Sequence, residues 1–140
     1  MKTGGKLMCL IVLMCTVFYG IPLLIYRVNY LGPTLRVHGE IRPVRDQGDW
    51  WQYPEETEER GAGDCEDMAI LLISRLERRG IPARLGLVNQ NGTGHAVVIT
   101  PKYILDPAFA QVFNRGDYKK QFTFTMDYAA IQRTIRVQRK

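Results

Sequence analysis

Between Lys6 and Arg27 the chain carries no charge: Leu7 to Tyr26 is built largely from Leu, Ile, Val, Met, Phe, Tyr and Cys, interrupted by Thr16, Gly20 and Pro22. The run just reaches the roughly 20 residues a helix needs to cross the hydrocarbon core of a bilayer, where isolated Gly and Pro are tolerated. It therefore reads as a single spanning anchor, contacting the membrane through residues 7–26. That removes residues 1–27 from any globular core and leaves, out of 140 residues, enough chain for one domain. A cleaved signal peptide is the rival reading, but the run is long for one and no small-x-small cleavage site follows it. A lipoprotein signal fits less well, because Met14 precedes Cys15.

Lys2 and Lys6 lie on one side of the run and Arg27 and Arg36 on the other, so the charge rule barely orients it. The expectation is N-terminus inside and domain on the extracytoplasmic side. Cys9 and Cys15 fall within the apolar run, leaving Cys65 as the one thiol of the remainder, so no internal disulfide staples the domain. The formal net charge of +5 is partly gathered in the tail "IQRTIRVQRK". There Ile135 and Val137 alternate with Arg136 and Gln138, the pattern of a half-buried edge strand. A nucleic-acid arm would be denser in Lys and Arg, and no nucleic-acid partner is expected.

Residues 28–48 mix Gly, Pro and charge without clear periodicity and read as a linker, which sets the domain at 49–140. Within it the sharpest pattern begins at Asp64: Cys65, Met68, Ala69, Leu72 and Leu76 recur at helical spacing. Asp64 is placed to cap that helix, Glu66 and Asp67 suit its positive end, and Arg78, Arg79, Gly80 and Pro82 supply the stop. A helix over about residues 65–79 follows. Strands are expected at 83–88, 95–100 and 103–105, with turns at Asn91-Gly92 and Pro101-Lys102. "KQFTFTM" and "RTIRV" read as two more. One main helix packed on a run of antiparallel strands is an α+β domain. Asn91-Gly92-Thr93 also spells a glycosylation sequon, though turn chemistry accounts for it.

The stretch "GAGDCEDMAILL" puts Cys65 between two acids at the start of that helix. Partial positive charge and free N–H groups at a helix N-terminus stabilise a thiolate, whereas adjacent carboxylates oppose it, so a nearby base would be needed. His95 opens a strand. Centring the following turn at Pro101 sets His95 opposite Asp106 on one face, where the carboxylate could fix the imidazole tautomer while the other nitrogen takes a proton. The hairpin then supplies a base with its orienting acid and the helix supplies the nucleophile. Each residue alone has an ordinary structural explanation; the combination is what points to chemistry. His38 has no acid or cysteine at readable spacing and is read as non-catalytic.

The segments "DWWQYPEETEERGAGDCEDMAILLISRLERRGIPARLGLV", "GHAVV" and "ILDP" resemble the transglutaminase-like superfamily, including its bacterial cysteine proteinases, over residues 49–107. The resemblance implies a small papain-like core and a catalytic triad of Cys65, His95 and Asp106 acting through a thioester at a glutamine or peptide carbonyl. An oxyanion hole would draw on the Cys65 N–H and one donor from Trp51 or Gln52, although for Trp50 and Trp51 taken separately aromatic core packing is the favoured role. Some proteinase members bind calcium through acids beside the cysteine. Asp64 and Glu66 match those positions, but capping explains both, so the expectation is no required cofactor, with calcium as the lesser reading. The expected function is hydrolysis of peptide or amide bonds in a protein or peptide substrate, since so short a chain has little material for a water-excluding amine channel. A protein-crosslinking acyltransferase and a non-catalytic binding module are the alternatives.

Overall fold

The computed structural model describes residues 3–45 and 50–140, with side chains from residue 8 onward. Helices α1 (Thr3–Cys15), α2 (Ile21–Tyr26) and α3 (Gly32–Glu40) are joined by π-helical turns at Thr16–Gly20 and Arg27–Leu31 into one unbroken helical run. Pro22 and Pro33 lie inside that run just past the two π-helical turns, where the hydrogen-bond ladder is already irregular and a missing N–H is most easily accommodated. The stretch expected as a linker is thus helical as far as Glu40, and Thr34, Val37 and Ile41 are fully or nearly buried. Its apparent lack of pattern arises because only one narrow stripe of α3 meets the domain. Residues 46–48 of that stretch lie outside the described residues, as does Asp49.

Helix α4 (Pro54–Arg60) starts at a proline, carries Glu55 and Glu56 in its first turn and stops at Gly61, whose φ of +57° makes the left-handed cap. Arg139 grips Glu56 from the C-terminal helix through both guanidinium nitrogens, at 2.7 and 2.5 Å. After α4 come the short strand β2 (Ala62–Gly63), paired in parallel with β1 (Arg42–Pro43), and α5 (Cys65–Glu77). Asp64 caps α5 as expected, accepting the Asp67 N–H at 3.0 Å, and Gly80 at φ +71° ends the run that follows it.

The main sheet has the order β6-β5-β4-β3-β7, all antiparallel. Its strands are β3 (Arg84–Gln90), β4 (Thr93–Ile99), β5 (Tyr103–Asp106), β6 (Gln111–Asn114) and β7 (Phe122–Asp127). Asn91 and Gly92, at φ +54° and +84°, close the β3–β4 hairpin as the two-residue turn their sequence favours. Met68, Leu72 and Leu76 of α5 pack with Leu85, Ala96, Val98 and Leu105 of the sheet in the main core. Val97, Ile99 and Ile104 form a smaller cluster with Phe113, Tyr118 and Phe122.

The C-terminal segment departs from expectation. "RTIRV" lies in a helix, α6 (Tyr128–Gln138), capped by Asp127, which accepts the Ala130 N–H at 2.8 Å. Ile131 and Ile135 are its buried residues. Their separation of four is a helical repeat; the alternation read as a strand came from Val137, which is exposed.

Candidate active site

The glycine-rich lead to the cysteine has a steric cause. A Cβ on Gly63 would lie 2.7 Å from the Asp67 Cβ, so only glycine lets β2 run against the first turn of α5. Asp67 is itself fully buried. Its Oδ1 accepts the Gln52 N–H at 2.8 Å, and its Oδ2 accepts the Gln52 side-chain amide at 2.6 Å and the Asp64 N–H at 3.3 Å. One carboxylate therefore ties the segment before α4 to the start of α5 and fixes where Cys65 begins its helix. The sequence reading used Asp67 only as a dipole complement. The missed signal was an acid on the same stripe as Met68 and Leu71, where a solvent-facing charge does not belong.

Cys65 and His95 line one cleft of about 910 Å³, together with Pro43 to Arg45, Asp64, Glu66, Met68, Gln90, Thr93, Gly94, Ala108 and Phe109. The backbone N–H of Ala96, next along β4 from His95, acts on the Cys65 sulfur to lower its pKa. His95 Nε2 meets Asp106 Oδ2 at 2.7 Å, and both side chains are nearly inaccessible. A carboxylate acceptor assigns the hydrogen to Nε2 and leaves Nδ1 as the basic nitrogen. Asp106 Oδ1 also accepts the Phe109 N–H at 3.2 Å, and the Phe109 ring lies against the imidazole at 5.2 Å between centroids. The pair was expected face to face. Instead Val98 pairs with Leu105 and Ile99 with Ile104, which sets Asp106 level with Val97. A slip of two residues preserves the face, so His95 and Asp106 meet diagonally.

The thiol is not activated in this arrangement. Cys65 Sγ donates to Glu66 Oε2 at 2.8 Å, and its pKa is pushed up to about 12. Burial is the largest cause, followed by the Glu66 hydrogen bond; the Ala96 N–H opposes them, and the charges of Glu66 and Asp64 add to the rise. The carboxylates flanking Cys65 oppose the thiolate, as their place in the sequence suggests, and burial adds to them.

The two expected upstream oxyanion donors are committed elsewhere. The Trp51 N–H donates to Gln138 Oε1 at 3.3 Å and the Gln52 N–H to Asp67; Trp51 packs against the core. The Cys65 N–H, at the first helical position, has no acceptor within its own helix. Asp64 and Glu66 do not form a cation cage: Asp64 caps α5, Glu66 takes the thiol, and among the described residues no three His, Cys, Asp or Glu side chains converge to hold a metal. Both acids carry oxygen donors of the kind a calcium ion takes, and each already has a partner in this arrangement. His38 lies outside the cleft lining, with Nδ1 3.0 Å from the Pro107 carbonyl oxygen.

Fold and site together define an α+β domain that holds a helix-borne cysteine beside a strand-borne histidine–aspartate pair. Residues 29–133 match the model of the bacterial transglutaminase-like cysteine proteinases (BTLCP), and the chain belongs to that family. Its fold is similar to that of Legionella pneumophila LapG in an EGTA-treated form, at 21% identity and a TM-score of 0.58, over 68% of this chain and 62% of LapG. No curated protein matches the sequence. The helix Met8–Glu40 is long and apolar enough to cross a membrane by length and composition, and none of its most apolar window is buried against the domain.

Proposed function

We propose that the protein is a membrane-anchored cysteine peptidase in which Cys65, His95 and Asp106 act as one catalytic unit. The observation that carries this reading is the buried 2.7 Å contact of His95 Nε2 with Asp106, which leaves Nδ1 as the base in the cleft that Cys65 also lines. Attack begins when the thiol leaves Glu66 and turns to His95. Sγ forms a bond to the substrate carbonyl carbon as the thiol proton passes to His95 Nδ1, and the negative charge that develops on the carbonyl oxygen meets the Cys65 N–H. The amine leaves with the proton from His95, giving a thioester, which water then hydrolyses with His95 again acting as base. Asp106 holds the tautomer and stabilises the imidazolium. The cleft's openness to solvent favours water as the acceptor over a second amine.

Anchoring is supported by the apolar residues of α1 and α2, which stay exposed where a soluble core helix would be buried. The substrate class is a protein or peptide, in keeping with the family. The catalytic test is adduct formation with a peptide-like electrophile at neutral pH, read by mass spectrometry, in wild type, Cys65→Ser and His95→Ala. Labelling at Cys65 that falls by roughly 10²–10⁴ in His95→Ala supports the unit. Labelling that is indifferent to His95 would mean that the histidine does not act on the thiol, and the reading of a binding module would stand in its place.

A further inference from the structure

We infer that the active cleft is held at a fixed height above the bilayer, so that the enzyme's substrates are extended juxtamembrane segments of proteins anchored in the same membrane. The inference rests on the proposed anchored peptidase and adds a geometric selection to it.

The helix that leaves the apolar run does not pass through a free linker. Tyr26 and Tyr30 set their rings against Tyr103 of β5, with centroids at 5.2 and 4.7 Å. Arg79, beyond the C-terminal end of α5, donates to the Val28 carbonyl at 3.1 Å and to Asn29 Oδ1 at 2.9 Å. Thr34 and Val37 are fully buried, and Arg75 of α5 bonds Glu40 at 2.7 Å. From the residue that ends the apolar run to the residue that ends α3, the helix is docked on the domain, and the chain then enters the cleft wall at Pro43 to Arg45. Anchor and cleft are therefore one rigid piece.

Two independent rulers give the height. Along the helix, Tyr26 lies beside Tyr103 and His38 beside Pro107; those twelve helical residues at 1.5 Å span about 18 Å. Along β5, the four steps from Tyr103 to Pro107 at about 3.4 Å span about 14 Å. Pro107 follows Asp106 directly, so the site sits about 14–18 Å beyond the end of the apolar run. A helix tilt of about 20° lowers that by less than a tenth. An extended peptide rising from the same surface covers about 3.3 Å per residue, so the scissile bond falls about four to six residues from the substrate's own exit.

The test uses the full chain in phosphatidylcholine vesicles. One electrophilic peptide is joined to a phospholipid headgroup through oligoproline tethers of two, six, twelve or twenty residues, which extend about 3.1 Å per residue. Mass spectrometry should find Cys65 labelled at least about tenfold faster with the six-proline tether than with two prolines, and a gradual decline at greater lengths as effective concentration falls. A ten-residue Gly/Ser insertion after Ile25 leaves the docked part of the helix in place and should flatten the length dependence. Two-proline labelling as fast as six-proline labelling in the native chain overturns the height selection. The water-soluble form of the electrophile separates the two readings: failure to label Cys65 sinks the peptidase proposal, whereas labelling without tether dependence sinks only the height. Energy transfer from a fluorophore at Thr93→Cys to headgroup acceptors, with Cys9, Cys15 and Cys65 changed to Ser, measures the height without any reaction. A separation near 20 Å supports the rigid docking, and one beyond about 40 Å overturns it.

Discussion

Replacing Glu66 by alanine should make Cys65 more reactive at neutral pH, although it deletes a residue lining the candidate site. The Sγ to Oε2 hydrogen bond of 2.8 Å holds the proton on sulfur, and the thiol stands at about 12. At pH 7.4 that leaves roughly three orders of magnitude less thiolate than an ordinary cysteine with a pKa of about 8.5. Burial is the largest cause of the rise and survives the substitution, so reactivity should not return to that of a free thiol. The hydrogen bond and the nearest like charge are both lost. One pKa unit is tenfold in thiolate, and a gain of about tenfold in alkylation rate at pH 7.4 is the expected result. Glu66→Gln keeps an acceptor but removes the charge and should fall between. The assay is the rate of iodoacetamide modification against pH, with Cys9 and Cys15 changed to Ser. The sign also fixes a stability window. Because the folded state raises the thiol's pKa from about 9 to about 12, the contribution is fully present below about 9 and is lost as pH rises through 12. A wild-type inflection near 8.5, or no acceleration in Glu66→Ala, would refute the argument that Glu66 restrains the thiol.

The proton-transfer path predicts non-additive losses: His95→Ala should lower the turnover of a peptide substrate by roughly 10²–10⁴ and Asp106→Asn by less, while the double variant should cost about as much as His95→Ala alone. Losses that multiply would mean that the two residues act separately. His38→Ala removes one hydrogen bond to the Pro107 carbonyl and should cost about 1 kcal/mol in stability with little change in rate. Leu72→Ala empties a fully buried position in α5 and should destabilise by about 2–5 kcal/mol, lowering Tm by roughly 10 °C or more. Chelation with EGTA should leave both Tm and Cys65 labelling nearly unchanged; a recovery specific to added calcium would show that Asp64 and Glu66 rearrange around the ion.

Legibility in the sequence followed the range of the interaction. Asp64 as the cap, the start of α5 at Cys65, the Asn91-Gly92 turn and the left-handed stop at Gly80 all depend on a few neighbouring residues, and each could be read. His95 and Asp106 were brought together correctly although the register was off by two, because alternation constrains the face more strongly than the pairing. Helices α3 and α6 were misread for a shared reason. Each buries only two residues, Thr34 with Val37 and Ile131 with Ile135, and a stripe that narrow leaves the rest of the helix free to look like a linker or an edge strand. Strand β6 escaped notice because its four residues are exposed or only half-buried.

The engagement of Trp51 and Gln52 could not be read at all, since it depends on contacts across the fold. Their N–H groups looked available to a substrate oxyanion because nothing nearby in sequence accepts them. The acceptors come from Gln138 of α6, at the far end of the chain, and from Asp67 in the first turn of α5. A buried carboxylate is tolerated only when its oxygens are occupied, and Asp67 meets that demand with two donors from Gln52 and one from Asp64. The same bonds remove freedom from the first turn of α5. The helix start that presents Cys65 is therefore held by an acid that never enters the cleft. Glu66, which does line the cleft, holds the thiol's proton instead. Neighbours on one helical turn thus differ in what they hold, Asp67 the start of the helix that carries the sulfur and Glu66 the thiol's proton.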